Sequence, residues 1–271
     1  MIDEEVSISN YYKTWVNGIK DEALFWDKLF ATGGECGGNK KVFEYRINPN
    51  CPFQLEEDLE HDRSKIIDIG SGPYSRLGFC MDGKKLDITL LDPLASVYRI
   101  LGQKYKIDFP IKAQTGMVEL LHYLFKQNEF DFVHMSNSLD HCFNPIVGIK
   151  ELIYITKVGG KIVLRHSENE AEHENYNGFH QWNLSLRDNK FVIWRNDELI
   201  DVNEYIRDYA DIEYAHKTSE RLFDDVWEYN KVVIRKKKEI KVDDLFSPKI
   251  IRNIIDVLVS QNAMLLSELG E

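Results

Sequence analysis

Between residues 65 and 167 the chain alternates short apolar runs with longer stretches whose apolar positions recur every three to four residues. The runs "KIIDIG", "DITLLD", "PIKAQT", "FDFVHMSN" and "GKIVLRHS" show little polar alternation, which marks strands buried on both faces. The intervening "ASVYRILGQKY", "MVELLHYLFKQ" and "NPIVGIKELIYITKV" have helical spacing. Such alternation predicts an α/β fold, a parallel sheet with right-handed crossovers and helices on both faces. The link between the first two runs is short, so its helix is expected to be stunted.

The flanks follow other rhythms. In "NYYKTWVNGIKDEALFWDKLF" the residues Trp15, Ile19, Leu24, Phe25, Leu29 and Phe30 recur at helical spacing, and the glycines of "TGGECGGNK" then break the helix. Residues 1–62 read as a helical and irregular cap. Residues 168–211 read as an insertion carrying a hairpin, "KFVIWRNDELIDV", followed by two more strands, "IEYAHKT" and "NKVVIRKK". The last stretch, 241–271, places Ile250, Ile251, Ile254, Ile255 and Leu258 on one helical face, suited to docking on its own domain or on a second copy. A monomer or a homodimer is expected.

Charge narrows the partners. The net charge of −11 opposes a broad nucleic-acid surface, which needs clustered lysine and arginine. The one strong basic run, "RKKK" at 235–238, reads as a solvated strand end. No apolar run approaches the ~20 residues of a membrane span, and "MIDEEVSISN" lacks the basic and apolar regions of a signal peptide. A cytoplasmic protein acting on a small molecule is the expectation. Cys36, Cys51, Cys80 and Cys142 form no C-x-x-C pair and are expected as free thiols.

The sharpest motif is "IIDIGSGPYSRLG". A buried strand runs into Gly70, Ser71 and Gly72, where missing side chains let the backbone turn tightly and approach a ligand. Asp92 stands twenty residues past Gly72 at the end of the next strand, where a carboxylate can take both hydroxyls of a ribose. A dinucleotide site wants a third glycine at position 75, and the chain has Ser75. Asp68, just before the loop, would repel a pyrophosphate but could receive the ammonium and sulfonium side of an aminoacyl donor. The combination favours S-adenosylmethionine over NAD.

In order and spacing, "DIGSGPYS", "LLDPLA", "FDFVHMSNSLDH" and "KVGGKIVLRH" resemble the seven-stranded class I S-adenosylmethionine-dependent methyltransferases over roughly residues 65–167. The resemblance implies a Rossmann-like mixed sheet of about seven strands ending in an antiparallel hairpin, with residues 63–240 as the cofactor-binding domain. It implies S-adenosylmethionine as cofactor and S-adenosylhomocysteine as product. By the family pattern Asp68, Gly70, Ser71 and Gly72 line the methionine portion and Asp92 holds the ribose. Pro93, Leu94, Gly116 and Met117 flank the adenine, and Asn137 and Ser138 lie beneath the transferring methyl. The family often has an acid in the loop after the third strand; here Glu119 comes a little late.

Methyl transfer from a sulfonium is an in-line displacement, and an alcohol acceptor gains from a base that takes its proton. Asp140-His141, at the carboxyl edge of the fourth strand, matches an acid–histidine pair found in small-molecule members, with His141 as base and Asp140 orienting it. A plain cap or loop support is the competing reading. The chain lacks the N-P-P-Y-like tetrad of base-methylating enzymes, so oxygen is the favoured acceptor atom, with a small amine as alternative. The stretch "RHSENEAEHENYNGFHQWNL" supplies candidate acceptor contacts in His166, Tyr176, His180, Gln181 and Trp182. Its H-E-x-x-H signature fails at Asn177, and no metal is expected. "ENYNGFHQWNL" also resembles methyltransferases of bacterial surface-polysaccharide pathways, which points to a sugar, nucleotide sugar or phosphorylated metabolite. A nicotinamide-dependent oxidoreductase and a non-catalytic cofactor-binding partner are the readings from other classes.

Overall fold

A computed structural model of the protein describes residues 4–37, 40–61, 63–242 and 245. The helix expected over 241–271 lies almost wholly outside the described residues. Ahead of the sheet come α1 (Glu4–Ala31) and α2 (Lys40–Arg46). The central run is β1 (Lys65–Ile69), β2 (Asp87–Asp92), α3 (Ala95–Tyr105), β3 (Gln114–Thr115), α4 (Leu121–Leu124), β4 (Phe130–Ser136), α5 (Pro145–Ile155) and β5 (Thr156–His166). The insertion holds α6 (Glu170–His173), β6 (Asn183–Arg187), β7 (Lys190–Arg195), β8 (Glu198–Asp201) and α7 (Val202–Ile206), and β9 (Ala210–Leu222) and β10 (Asp225–Lys236) close the chain.

Seven strands form one sheet in the order β9-β10-β5-β4-β1-β2-β3. β1 to β5 run parallel, while β10 pairs antiparallel with both β5 and β9. The order reverses between β1 and β4, and that is where an open α/β sheet leaves a crevice beyond its carboxyl ends. One face presents Ile67, Ile69, Val133, Met135, Ile162 and Leu164 to α5 and the insertion. The other presents Ile66, Leu90, Phe132 and Val163 to the segment around Phe53 and Leu77. α5 starts sharply because Asn144 accepts from the amides of Ile146 and Val147 and Pro145 opens the first turn. It then buries Ile149, Leu152 and Ile153 completely, each side chain contributing about 1.5–3 kcal/mol.

Several elements differ from the sequence expectation. Residues 70–86 contain no helix, only a two-residue hairpin pairing Cys80 with Lys85 and Met81 with Lys84. Of "PIKAQT" only Gln114 and Thr115 pair. "MVELLHYLFKQ" forms a 3-10 turn and the four-residue α4, ended by extended Phe125. β5 begins at Thr156, taking in residues expected to prolong the preceding helix. The insertion adds a third strand, β6, to the expected hairpin, making a small sheet in the order β8-β7-β6. On α1, Trp15, Leu29 and Phe30 are buried as expected, but Leu24 and Phe25 are exposed. Lys236, read as part of a solvated strand end, is buried, with Nζ donating to Asn128 Oδ1 and to the carbonyls of Tyr154 and Thr156. Burial lowers its pKa to about 8. All four cysteines are free thiols. No described helix is long and apolar enough to cross a membrane.

Candidate active site

A cavity of about 290 Å³ opens at the carboxyl edge of the sheet, where the strand order reverses. Its floor is the loop after β1. Gly70 and Gly72 sit at φ +63° and +64°, a region costly to any residue with a Cβ. A Cβ on Gly70 would lie 2.3 Å from Ser138 Oγ, so β1 and β4 can approach this closely only through a glycine. The amides of Gly70 and Ser71 both donate to Leu91 O, which locks the loop against β2.

Asp92, at the end of β2, accepts from Gly72 N at 2.9 Å through Oδ2 and from Leu94 N at 2.8 Å through Oδ1. Each oxygen keeps a lone pair for a ligand hydroxyl. Burial raises its pKa to about 6. Asp68 is turned inward: it accepts from Ser75 Oγ at 2.6 Å and pairs with His134 Nδ1 at 2.6 Å. Ser75 Oγ in turn accepts from Leu77 N. The position that a dinucleotide site fills with a third glycine is thus a buried serine tied to Asp68, and no helix follows it to receive a pyrophosphate. Glu119 also lines the cavity, accepting from Phe143 N at 2.6 Å, and burial raises its pKa to about 7.

The residues expected to touch the cofactor all line this one cavity: Asp68, Gly70, Ser71, Gly72, Asp92, Pro93, Leu94, Gly116, Met117, Asn137 and Ser138. His141 lines it too. Asp140 is buried beneath, its Oδ2 3.3 Å from His141 Nε2 and 2.8 Å from His180 Nδ1. The imidazole nitrogens lie 3.2 Å apart. Burial opposes charge on Asp140, but His141 and His180 outweigh it and lower its pKa. Burial likewise opposes charge on His180, whose pKa is nonetheless raised by Asp140. These three donor atoms, within 4.8 Å of one another, are also of the kind that ligates divalent ions.

The other expected acceptor contacts lie elsewhere. His166 is buried away from the cavity, with neither ring nitrogen hydrogen-bonded, and burial lowers its pKa to about 3. Gln181 holds the insertion's own turn, donating to the carbonyls of Tyr176 and Gly178 and accepting from Arg195. Tyr176 takes Asn183 Nδ2 on its hydroxyl, and Trp182 donates to Cys142 O. Of this set His180 reaches the cavity-lining His141, and Trp182 reaches the backbone of the cavity-lining Cys142.

Sequence reasoning singled out none of the α1 residues that roof the cavity. Trp15, Glu22, Phe25 and Trp26 of α1 line the cavity, and Trp15 Nε1 donates to His141 O at 3.0 Å. Trp26 meets the rings of Tyr74 and Tyr98 edge-on at 5.9 and 5.6 Å. The exposed Phe25 therefore has a site to face. Arg46, Arg76 and Trp227 were missed as well. Arg76 stands in the same "GPYSRLG" stretch as the glycines and could have been noticed; nothing in the sequence singles out Trp227.

Sheet order, glycine loop and paired acids define a Rossmann-like α/β protein with a nucleotide-sized crevice at its switch point. No family model matches the chain, and no curated protein sequence matches it. Solved structures do. A SAM-dependent methyltransferase from Methanosarcina mazei is similar over 69% of this chain and 97% of its own, at 15% identity and a TM-score of 0.40. The trans-methyltransferase CalH, solved with S-adenosylhomocysteine, matches 65% of this chain and 52% of its own, at 10% identity and TM-score 0.44. The 16S rRNA N2 G1207 methyltransferase of T. thermophilus, solved with AdoMet and guanosine, matches 71% and 40%, at 12% identity and TM-score 0.39. At such identities the likeness is one of fold.

Proposed function

We propose that this chain is an S-adenosylmethionine-dependent methyltransferase that methylates an oxygen of a small molecule. The observation that carries the reading is the single cavity joining the Gly70–Gly72 loop and Asp92 to Asn137, Ser138 and His141. The residues fit the cofactor: Gly70 and Gly72 line the cavity with bare backbone, and Asp92 retains acceptor capacity for ribose hydroxyls. Glu119, buried beside Met117 and Gly116, is placed to accept from an adenine amino group.

When bound, the cofactor supplies an electrophilic methyl on a positively charged sulfur. Asn137 and Ser138 set the floor beneath it. His141 turns Nε2 toward Asp140, and no hydrogen bond engages its Nδ1 among the described residues. With Nε2 facing Asp140 Oδ2 at 3.3 Å and His180 Nδ1 at 3.2 Å, Nδ1 would take the acceptor's hydroxyl proton as the oxygen receives the methyl group. The cofactor would also supply the leaving group, a sulfonium sulfur that departs as a neutral thioether. Alignment and exclusion of water by Trp15 and Trp26 supply the rest of the rate.

The net charge of −11 supports a small acceptor over a nucleic acid, and the insertion's likeness to surface-polysaccharide enzymes supports a sugar or nucleotide sugar. We place the cofactor-binding domain at 63–240, between a cap (1–62) and a C-terminal segment (241–271), in a cytoplasmic monomer or homodimer. Titration calorimetry with S-adenosylmethionine and NAD tests the reading. Binding of the first alone supports it, and failure of the first to bind overturns it. A labelled-methyl screen over nucleotide sugars and phosphorylated metabolites then seeks the acceptor.

A further inference from the structure

At the end of the cavity that lies toward β5, β10 and β9, three arginines gather around one glutamate. Arg46, 4% exposed, donates to Arg76 O and pairs with Glu220 Oε1 at 2.5 Å. Arg165, 3% exposed, reaches the other oxygen of Glu220 at 3.2 Å and donates Nε to His134 at 3.0 Å. Its Nη2 is buried and has no hydrogen-bond partner. Arg46 and Arg165 thus have structural work, tying α2 and β5 to β9. Arg76 has none. Its guanidinium makes no hydrogen bond or ion pair among the described residues, and the exposed side chain lines the cavity. The protein packed around it and the neighbouring Arg165 and Arg46 lower its pKa, the mark of a cation crowded by cations.

Sheet order assigns this corner. The ribose acid Asp92 ends β2 and the loop of Gly70 follows β1, while Arg165, Glu220 and Trp227 belong to β5, β9 and β10 on the far side of β4. A molecule seated here lies beyond the reaction centre, on the acceptor's side. A guanidinium presents paired N–H groups in the plane of a carboxylate or phosphate, and Trp227 and Tyr74 supply flat walls nearby. Glu220 and Asp68, which reaches Arg165 through His134, are two carboxylates against three arginines, so an incoming anion removes repulsion as well as adding hydrogen bonds. We propose that the acceptor is an anion whose carboxylate or phosphate is bound by Arg76 between Tyr74 and Trp227, with Arg46 and Arg165 setting the positive field. This rests on the methyl-transfer reading and names the substrate class of that site.

The test uses the full chain saturated with S-adenosylhomocysteine, titrated with inorganic phosphate and, separately, acetate. Binding of one of them, weakened about tenfold or more in Arg76→Gln and partly restored in Arg76→Lys, supports the proposal and tells a phosphoryl from a carboxylate group. Absence of anion binding to the saturated protein overturns it. Titration of S-adenosylhomocysteine and of 5′-methylthioadenosine, which lacks the amino-acid tail, into parent and Arg76→Gln removes the remaining ambiguity. Should Arg76→Gln weaken only the first, Arg76 serves the cofactor's carboxylate and the proposal fails. Should neither nucleoside bind the parent protein, the methyl-transfer reading itself has failed.

Discussion

Gly70→Ala perturbs the site at one atom. At φ +63° an L residue costs about 1–2 kcal/mol over glycine. The new Cβ would also lie 2.3 Å from Ser138 Oγ and 2.5 Å from Ser138 Cβ, and the loop cannot retreat because Gly70 N and Ser71 N are both bonded to Leu91 O. Overpacking of this kind adds about 1–3 kcal/mol. The sum is about 2–5 kcal/mol, or a fall in Tm of about 10 °C for a chain of this size. Gly83→Ala is the control. It has φ +73° with nothing within 4 Å of the added Cβ, so it isolates the backbone penalty. Scanning fluorimetry of both variants and calorimetry with S-adenosylhomocysteine read the outcome. Gly70→Ala should lose several degrees more than Gly83→Ala and bind the product at least about tenfold more weakly. Equal melting points with unchanged affinity would refute the claim that this glycine sets the distance between β1 and β4.

His141→Ala should keep S-adenosylhomocysteine affinity while kcat falls about 10²–10⁴-fold, and turnover at the parent rate would remove it as base. Glu119→Gln should be the more stable protein above neutral pH. A carboxyl raised from 4.5 to about 7 by burial loses stability as pH climbs through that window, by about 3 kcal/mol at most. The difference in Tm between variant and parent should therefore grow from pH 4.5 to 7 and then level off. His166→Leu removes two buried nitrogens without partners, so it should melt no lower than the parent and leave KM for the acceptor unchanged. Exhaustive chelation should leave turnover intact, since Asp140 Oδ2, His141 Nε2 and His180 Nδ1 already engage one another. Loss of activity restored by a divalent ion would reassign the three residues.

The strands and the cofactor loop were legible because burial on both faces and tight backbone turns leave local marks. "KIIDIG" and "DITLLD" can be little else, and the helix "ASVYRILGQKY" spans the same residues in the structure. β6 was hidden because it buries Asn183 and Ser185, polar residues whose partners, Glu172 N and Asn169 Oδ1, come from before the strand. The histidine-rich stretch misled for the opposite reason. Residue type suggests contact with a ligand, but only tertiary packing tells that Gln181 braces its own loop and that His180 faces Asp140. Which α1 side chains roof the cavity was unreadable too, because an amphipathic helix does not say which cleft its tryptophans will cover.

The central sheet also has two ends. Among the described residues β3 contributes two paired residues at one of them, too few to template another strand. At the other, β9 runs for thirteen residues, long enough to recruit a neighbouring chain. A break in register between Ile212 and Tyr214 bends it, and Glu213 and Lys217 on it are held in ion pairs with Arg235 and Glu168. An edge so kinked and charged offers a passing strand poor hydrogen bonding and a desolvation cost. Resistance to aggregation is thus written into the strand farthest from the glycine loop, and valines at 213 and 217 would erase it without touching the chemistry.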